Sequence, residues 1–215
     1  NMYADVTAFC KECEVCAGRK GTPGKAPISA IPLPEAPFEL VGIDTVGPLP
    51  TTASGNKYII VVTDYLTRWV EAFAVQDATA ETAARVLMAV VSRHGFPKRL
   101  LSDRGTQYLN NLVDSMLAIG GTSHSTTSAW RPQTNGLTER CNGVLKTMLS
   151  MYTSEHQDDW DRWLPFLLFA YRTSYQDSLR STPFGLLYGR EAILPLDTWL
   201  SSEEVAYKGN DYRKT

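Results

Sequence analysis

Beyond residue 37 the apolar positions fall into two rhythms, one of strands and one of helices. "FELVGID" (38–44), "KYIIVVTD" (57–64) and "RWVEAFAV" (68–75) are rich in β-branched and aromatic residues. They predict three strands, the last two joined through "YLT" as an antiparallel hairpin. In "TAETAARVLMAVVSRHG" (79–95) the apolar positions 83, 86, 87, 90 and 91 mark a helix. Thr79 as N-cap and Gly95 just past the end give it both boundaries. "KRLLSD" (98–103) predicts a fourth strand, "NNLVDSMLAIG" (110–120) a helix and "TSHSTTSA" (122–129) a short fifth strand. Helical patterns follow at about 137–153 and about 160–176. Three strands followed by alternation predict an α/β layer fold with a mixed five-stranded sheet flanked by helices.

Upstream the pattern breaks. Residues 17–37 carry five of the twelve prolines and three glycines, a density that no helix or central strand survives. A linker over 21–37 therefore separates a small Cys-bearing piece, 1–20, from a core that starts at 38. With 43% hydrophobic and 20% charged residues the chain is not disordered as a whole. No apolar run approaches the roughly 18 residues of a spanning helix. A formal net charge of −2 does not advertise nucleic-acid binding, so any such role rests on local arrangement. Asn, not Met, comes first and no apolar signal core follows, which reads as a fragment or processed product. Cys10, Cys13 and Cys16 at three-residue spacing are not a secreted disulfide framework, and a reduced, intracellular setting is expected.

The acids carry the candidate chemistry. Asp44 ends the first predicted strand, Asp103 the fourth, and Glu139 opens the helix of "NGLTERCNGVLKTMLSMY" (135–152). With Glu139 at zero on a 100° wheel, Leu137, Cys141, Val144, Leu145, Met148 and Tyr152 fall opposite, while Asn142, Gly143, Lys146 and Ser150 cluster around Glu139. Three ionised carboxylates at close range repel unless cations are present, and hard, oxygen-seeking ions such as Mg²⁺ suit them. Spacing alone does not decide this, since 23 acids offer many such triples. Asp103 alone, before Arg104-Gly105, also reads as a turn former.

The motifs "GIDTVGPLP", "SDRGTQYLNN", "SAWRPQTNGLTERCNGVLK" and "TPFGLLYGR" resemble, in order, those of the integrases of gypsy-type LTR retrotransposons, relatives of retroviral integrases. The resemblance runs from about residue 2 to about 197. It implies an RNase-H-like fold over 38–196, with catalytic, metal-holding Asp44, Asp103 and Glu139. Two Mg²⁺ (or Mn²⁺) ions would serve phosphoryl transfer, trimming element DNA ends and joining their 3′-hydroxyls to target DNA. Lys146 would hold phosphate, with Arg104, Arg131, Asn135 and Arg140 as further contacts. Double-stranded DNA, both element ends and target, is the implied partner, with a homodimer or higher multimer, no membrane, and action in the nucleus. Trp130-Arg131 stands where the family usually has Tyr-His, and Leu137 where it usually has Gln; neither touches the three acids.

"FCKECEVCAGRK" resembles the tail of the family's zinc module, with Cys13 and Cys16 as two of its ligands. A structural zinc takes four, and His94, His124 and His156 all lie in the core region. Residues 1–20 are thus expected to be the remnant of that module, holding zinc only in the complete parent protein. Residues 197–215 read as the start of a linker to a C-terminal domain. A domesticated, host-encoded nucleic-acid-binding protein is the alternative, because folds outlive functions. Asp64 and Asp77 are read as structural, His94 as a helix-end charge partner. Trp160, Trp163, Phe166, Phe169 and Tyr171 are read mainly as core.

Overall fold

The computed structural model describes residues 1–12, 34–126, 136–153 and 157–200. It divides into two compact units, Asn1–Pro32 and Leu33–Thr215. In the first, helix α1 (Met2–Glu12) exposes Met2, Tyr3, Val6 and Phe9. Cys13 and Cys16 lie outside the described residues.

The second unit is built on strands β1 (Leu40–Val46), β2 (Tyr58–Asp64), β3 (Val70–Val75), β4 (Arg99–Ser102) and β5 (Ser123–Thr126). They form one sheet in the order β3-β2-β1-β4-β5. β1 pairs antiparallel with β2 and β2 with β3, while β1–β4 and β4–β5 are parallel. The mixed sheet expected from the pattern is therefore present. The helices are α2 (Ala80–His94), α3 (Asn111–Ile119), α4 (Gly136–Tyr152), α5 (Trp160–Thr173), α6 (Pro183–Tyr188) and α7 (Pro195–Leu200). Thr79 caps α2 by accepting from the Thr82 N–H, and Asn110 caps α3 from Leu112 and Val113. Gly95 ends α2 at φ 84, a conformation open to glycine. Helix α7 begins at Pro195, so helix extends into the segment read as linker. Among the described residues no helix is long and apolar enough to cross a membrane.

Alternation along the strands divides the core in two. Val41, Ile43, Ile60, Val62 and Leu100 pack with α2 and α3 on one face. Val46, Ile59, Val61 and Val70 pack with Cys141, Leu145 and Leu149 of α4 and Leu164, Leu167 and Leu168 of α5 on the other. Two expectations need correction. The first strand runs from 40 to 46, not 38 to 44, because Phe38 adopts φ 61 and leaves the sheet. Its ring stacks on His94 at 3.8 Å and its N–H donates to Asp64 Oδ1 at 2.9 Å. The aromatic stripe of α5 is also split. Trp160 and Tyr171 are buried, but Trp163, Phe166 and Phe169 are exposed on the side turned from the sheet.

Asp64 and Asp77 do structural work. Asp64 is fully buried and accepts from Phe38, the Thr67 N–H and the Thr67 hydroxyl. Asp77 accepts from Thr79 and Thr82 at the head of α2. Glu71 on β3 ties three elements together. It accepts from Trp69 Nε1 at 3.1 Å and pairs with Arg93 and Arg172 at 3.3 Å each, with His94 Nε2 at 3.1 Å. His94 is thus a hydrogen-bond partner of Glu71 and a stacking surface for Phe38. Burial raises the Glu71 pKa, but the Trp69 and His94 hydrogen bonds and the two guanidinium charges outweigh it, leaving the carboxyl below its ordinary value. A lowered folded pKa gives stability that is present above the unfolded value and lost as pH falls through the folded one. Glu71→Gln should cost about 2 kcal/mol at neutral pH. The difference in melting temperature between parent and variant should shrink below about pH 4; thermal unfolding followed by circular dichroism across pH checks both.

Candidate functional site

The β1–β4 register sets the site. Gly42 lies opposite Leu101 in the parallel pair, and two residues further along both chains come Asp44 and Asp103. Neighbouring strands run about 4.8 Å apart, so the two acids leave the sheet side by side. Both lie on the α4 face, by the parity that puts Val41 and Ile43 in the opposite core. Asp44 does not end its strand, as the pattern suggested, but lies two residues before Val46. It is half-buried, and its backbone is paired with Val61 of β2.

Each carboxylate is aimed by the backbone. Asp44 Oδ1 accepts from the Thr45 N–H at 2.8 Å, and Asp103 Oδ1 from the Gly105 N–H at 2.9 Å. Asp103 therefore does form the turn its sequence suggested, and it stands beside Asp44 as well. Beneath them Tyr108 is fully buried, its hydroxyl 2.5 Å from Thr45 Oγ1. Burial above all raises the Tyr108 pKa, and the nearby charges of both Asp44 and Asp103 raise it further. Asp103 is also tied from behind. Ser102, buried, donates to the Asp103 carbonyl at 2.8 Å and contacts His124 Nε2 at 2.9 Å. His124 Nδ1 lies 3.2 Å from Asp114 on α3.

Helix α4 supplies the third wall. Thr138 is fully buried, and a Cβ on Gly42 would stand 2.5 Å from Thr138 Oγ1 and 2.8 Å from the Tyr65 ring. Glycine at 42 thus lets the helix reach the strand. One turn later Asn142 Nδ2 donates to Asp44 Oδ2 at 2.7 Å. The wheel placed Asn142 on an open polar face, yet it is 6% exposed, while Val144 and Tyr152 of the expected buried stripe are 40% and 55% exposed. The helix meets β1 through 138 and 142 and meets α5 through 141, 145 and 149, which rotates the buried arc. Position 139 lies one turn before Asn142 on this sheet-facing side; the Glu139 side chain is outside the described residues. Among the described residues no group of three or more His, Cys, Asp or Glu gathers.

The expected DNA contacts separate. Lys146 is exposed one turn beyond Asn142 on the same side of α4, and Arg104 is exposed beside Asp103. Arg140 lines a cleft on the opposite side of α4, away from Asp44. Arg131 and Asn135 lie outside the described residues. Sequence reasoning missed Gly42, Thr138 and Tyr108 altogether. An isolated glycine inside a strand was the available signal, because it marks close backbone approach.

Residues 34–132 match the family model described as the integrase core domain. The retrovirus-related Pol polyprotein from transposon 412 of Drosophila melanogaster is 30% identical over 190 residues, 87% of this chain and 15% of that protein. The gypsy retrotransposon integrase-like protein 1 of Bos taurus is 25% identical over 191 residues, 89% of this chain and 38% of that protein. The chain thus spans well under half the length of these relatives. In structure it resembles a chain of the simian T-cell lymphotropic virus intasome in complex with PP2A regulatory subunit B56 gamma, with TM-score 0.69 and 21% identity, covering 89% of this chain and 68% of that one. It also resembles the HTLV-2 integrase catalytic core domain in complex with magnesium, trimeric form, with TM-score 0.58 and 18% identity, covering 70% of this chain and 97% of that one. The fold is the RNase-H-like one of retroviral integrase cores.

The Gly42–Thr138 approach makes a direct prediction. Gly42→Ala should lower stability by about 1–3 kcal/mol, because α4 must shift or the side chains leave their rotamers. Pairing it with Thr138→Ala, which removes the nearest atom, should recover part of the loss in thermal melts.

Proposed function

On the footing that residues 34–132 carry an integrase core domain, we propose that the chain is the catalytic part of a DNA integrase. Its reaction is polynucleotidyl transfer: element ends are trimmed by water, and their 3′-hydroxyls then attack target phosphodiesters. The observation that carries this reading is the register that sets Asp44 and Asp103 side by side, with Asn142 of α4 bonded to the first. The donors offered there are carboxylate oxygens, which fit Mg²⁺ and not a thiol- or imidazole-seeking metal. Asp44, Asp103 and Glu139 would hold two ions, which supply activation of the attacking oxygen and stabilisation of the leaving one.

The chain's own groups do the positioning. The Thr45 and Gly105 amides fix one oxygen of each Asp, and Asn142 orients the second oxygen of Asp44. Lys146, exposed one turn beyond Asn142 on the same side of α4, would offer a mobile positive charge to a phosphate of the DNA end. Exposed Trp163, Phe166 and Phe169 on α5 suit association with a second copy, and two-ended joining needs such a multimer. Chromosomal target DNA would place the reaction in the nucleus.

Three outcomes are expected. On a preassembled branched DNA, whose geometry already holds the reacting strands together, the purified chain should show metal-dependent cleavage and rejoining, the reverse of strand transfer, on gels. Absence of that activity would favour a domesticated binding protein. Asp103→Asn and Glu139→Gln should each abolish it while leaving melting temperature equal or higher, since each relieves carboxylate repulsion; near-normal activity in either would refute the assignment. Lys146→Ala should reduce the log–log salt slope of DNA binding by about 0.9, and superimposable curves would return Lys146 to the solvated surface.

A further inference from the structure

On the far side of α4 from Asp44 lies a cleft of about 280 Å³ between α4, the end of α5 and the segment that follows it. Leu137, Cys141, Val144 and Met148, one stripe of α4, form an apolar wall. The polar side is cationic. Arg68 and Arg140 both line it, and no Asp or Glu is among its described lining residues. Burial raises the Cys141 thiol's pKa overall; the Tyr171 hydrogen bond opposes this most, followed by the Arg68 charge, with Arg140 acting more weakly. The Tyr171 hydroxyl meets Cys141 Sγ there at 3.1 Å.

Arg68 is held at a cost. Its φ is 62, in the left-handed region where glycine is favoured and a long side chain is strained. Its Nε is buried without a hydrogen-bond partner, which forfeits the free energy of hydrating that donor. The φ belongs to the β2–β3 hairpin, which the Arg68 N–H closes on Asp64 O, but the guanidinium has no ion pair among the described residues and its buried Nε serves no contact of the fold. An unpartnered buried cationic donor beside a cleft with an apolar wall is the arrangement of an anion site.

We propose that this cleft binds a small amphipathic organic anion, an aromatic or branched aliphatic carboxylate, with the carboxylate on Arg68 and the apolar body against Leu137, Val144 and Met148. The volume, near the lower end of small-molecule pockets, suits one bicyclic ring system. A bound ligand would brace the back of the helix whose front holds Asn142 against Asp44.

The test is titration of the chain with 2-naphthoate, followed by isotope-labelled amide and methyl chemical shifts, without DNA or metal. One saturable site is expected, with shifts centred on Leu137, Cys141, Val144 and Met148. The neutral 2-naphthamide should bind at least about tenfold more weakly, the scale of one charge-assisted bond. Arg68→Gly, which relieves the backbone strain, should keep or raise the melting temperature and weaken naphthoate by a similar factor. Val144→Trp, which fills the cleft from an exposed position, should abolish binding with the fold intact. Equal affinity for acid and amide, unchanged binding in either variant, shifts centred elsewhere, or no saturation would each overturn the proposal. Because only binding is read, failure here leaves the integrase reading untouched, and failure of that reading leaves this site untouched.

Discussion

Everything in the second unit depends on β1 being hydrogen-bonded on both sides. Its antiparallel partner β2 fixes it from one edge and its parallel partner β4 from the other. A strand held in this way cannot slip, since a one-residue slip would exchange the two cores. That constraint puts Asp44 on the face of Gly42 rather than of Ile43, and level with the residue that follows β4. The close approach of α4 through Gly42 then brings Asn142 to the same carboxylate. Strand register, glycine and helix contact are one continuous arrangement.

The carboxylates of this protein differ in how much of their bonding capacity the fold consumes. Asp64 and Asp77 are each met by three protein donors, and Glu71 by tryptophan, histidine and two arginines. Asp103 accepts from one backbone amide at the sheet edge, and partial exposure keeps it open to solvent. Buried acids with satisfied oxygens hold structure. Half-buried Asp103, aimed by a single amide, spends the least of its bonding capacity on the fold.

Much of this was legible in the chain. The strands announced themselves through β-branched runs, α2 through Thr79 and Gly95, and the acids through ordered motifs. What was not legible came from tertiary contact. The helical wheel assumed a single buried arc on α4, but that helix touches two neighbours at different angles, so Thr138 and Asn142 turn inward and Val144 outward. Phe38 read as strand because its side chain is apolar; the ring stack on His94, 56 residues away in sequence, takes it out of the sheet. Trp163, Phe166 and Phe169 are as apolar as their buried neighbours, and only the direction of the sheet decides which of them is covered.

The parallel β1–β4 pair also dictates when the site can exist during folding. The β1–β2 and β2–β3 pairs close over connections of 11 and 5 residues, so little loop-closure entropy opposes them. Joining β4 to β1 means closing a loop across the whole hairpin and α2, and β5 lies beyond α3, so these pairings carry the larger closure cost. Asp44 and Asp103 are therefore neighbours only when the central sheet is complete. A chain still emerging from the ribosome, or one that has partly come apart, carries its acids scattered. The paired carboxylates exist only in the finished sheet, so no partly folded form of the chain presents them together.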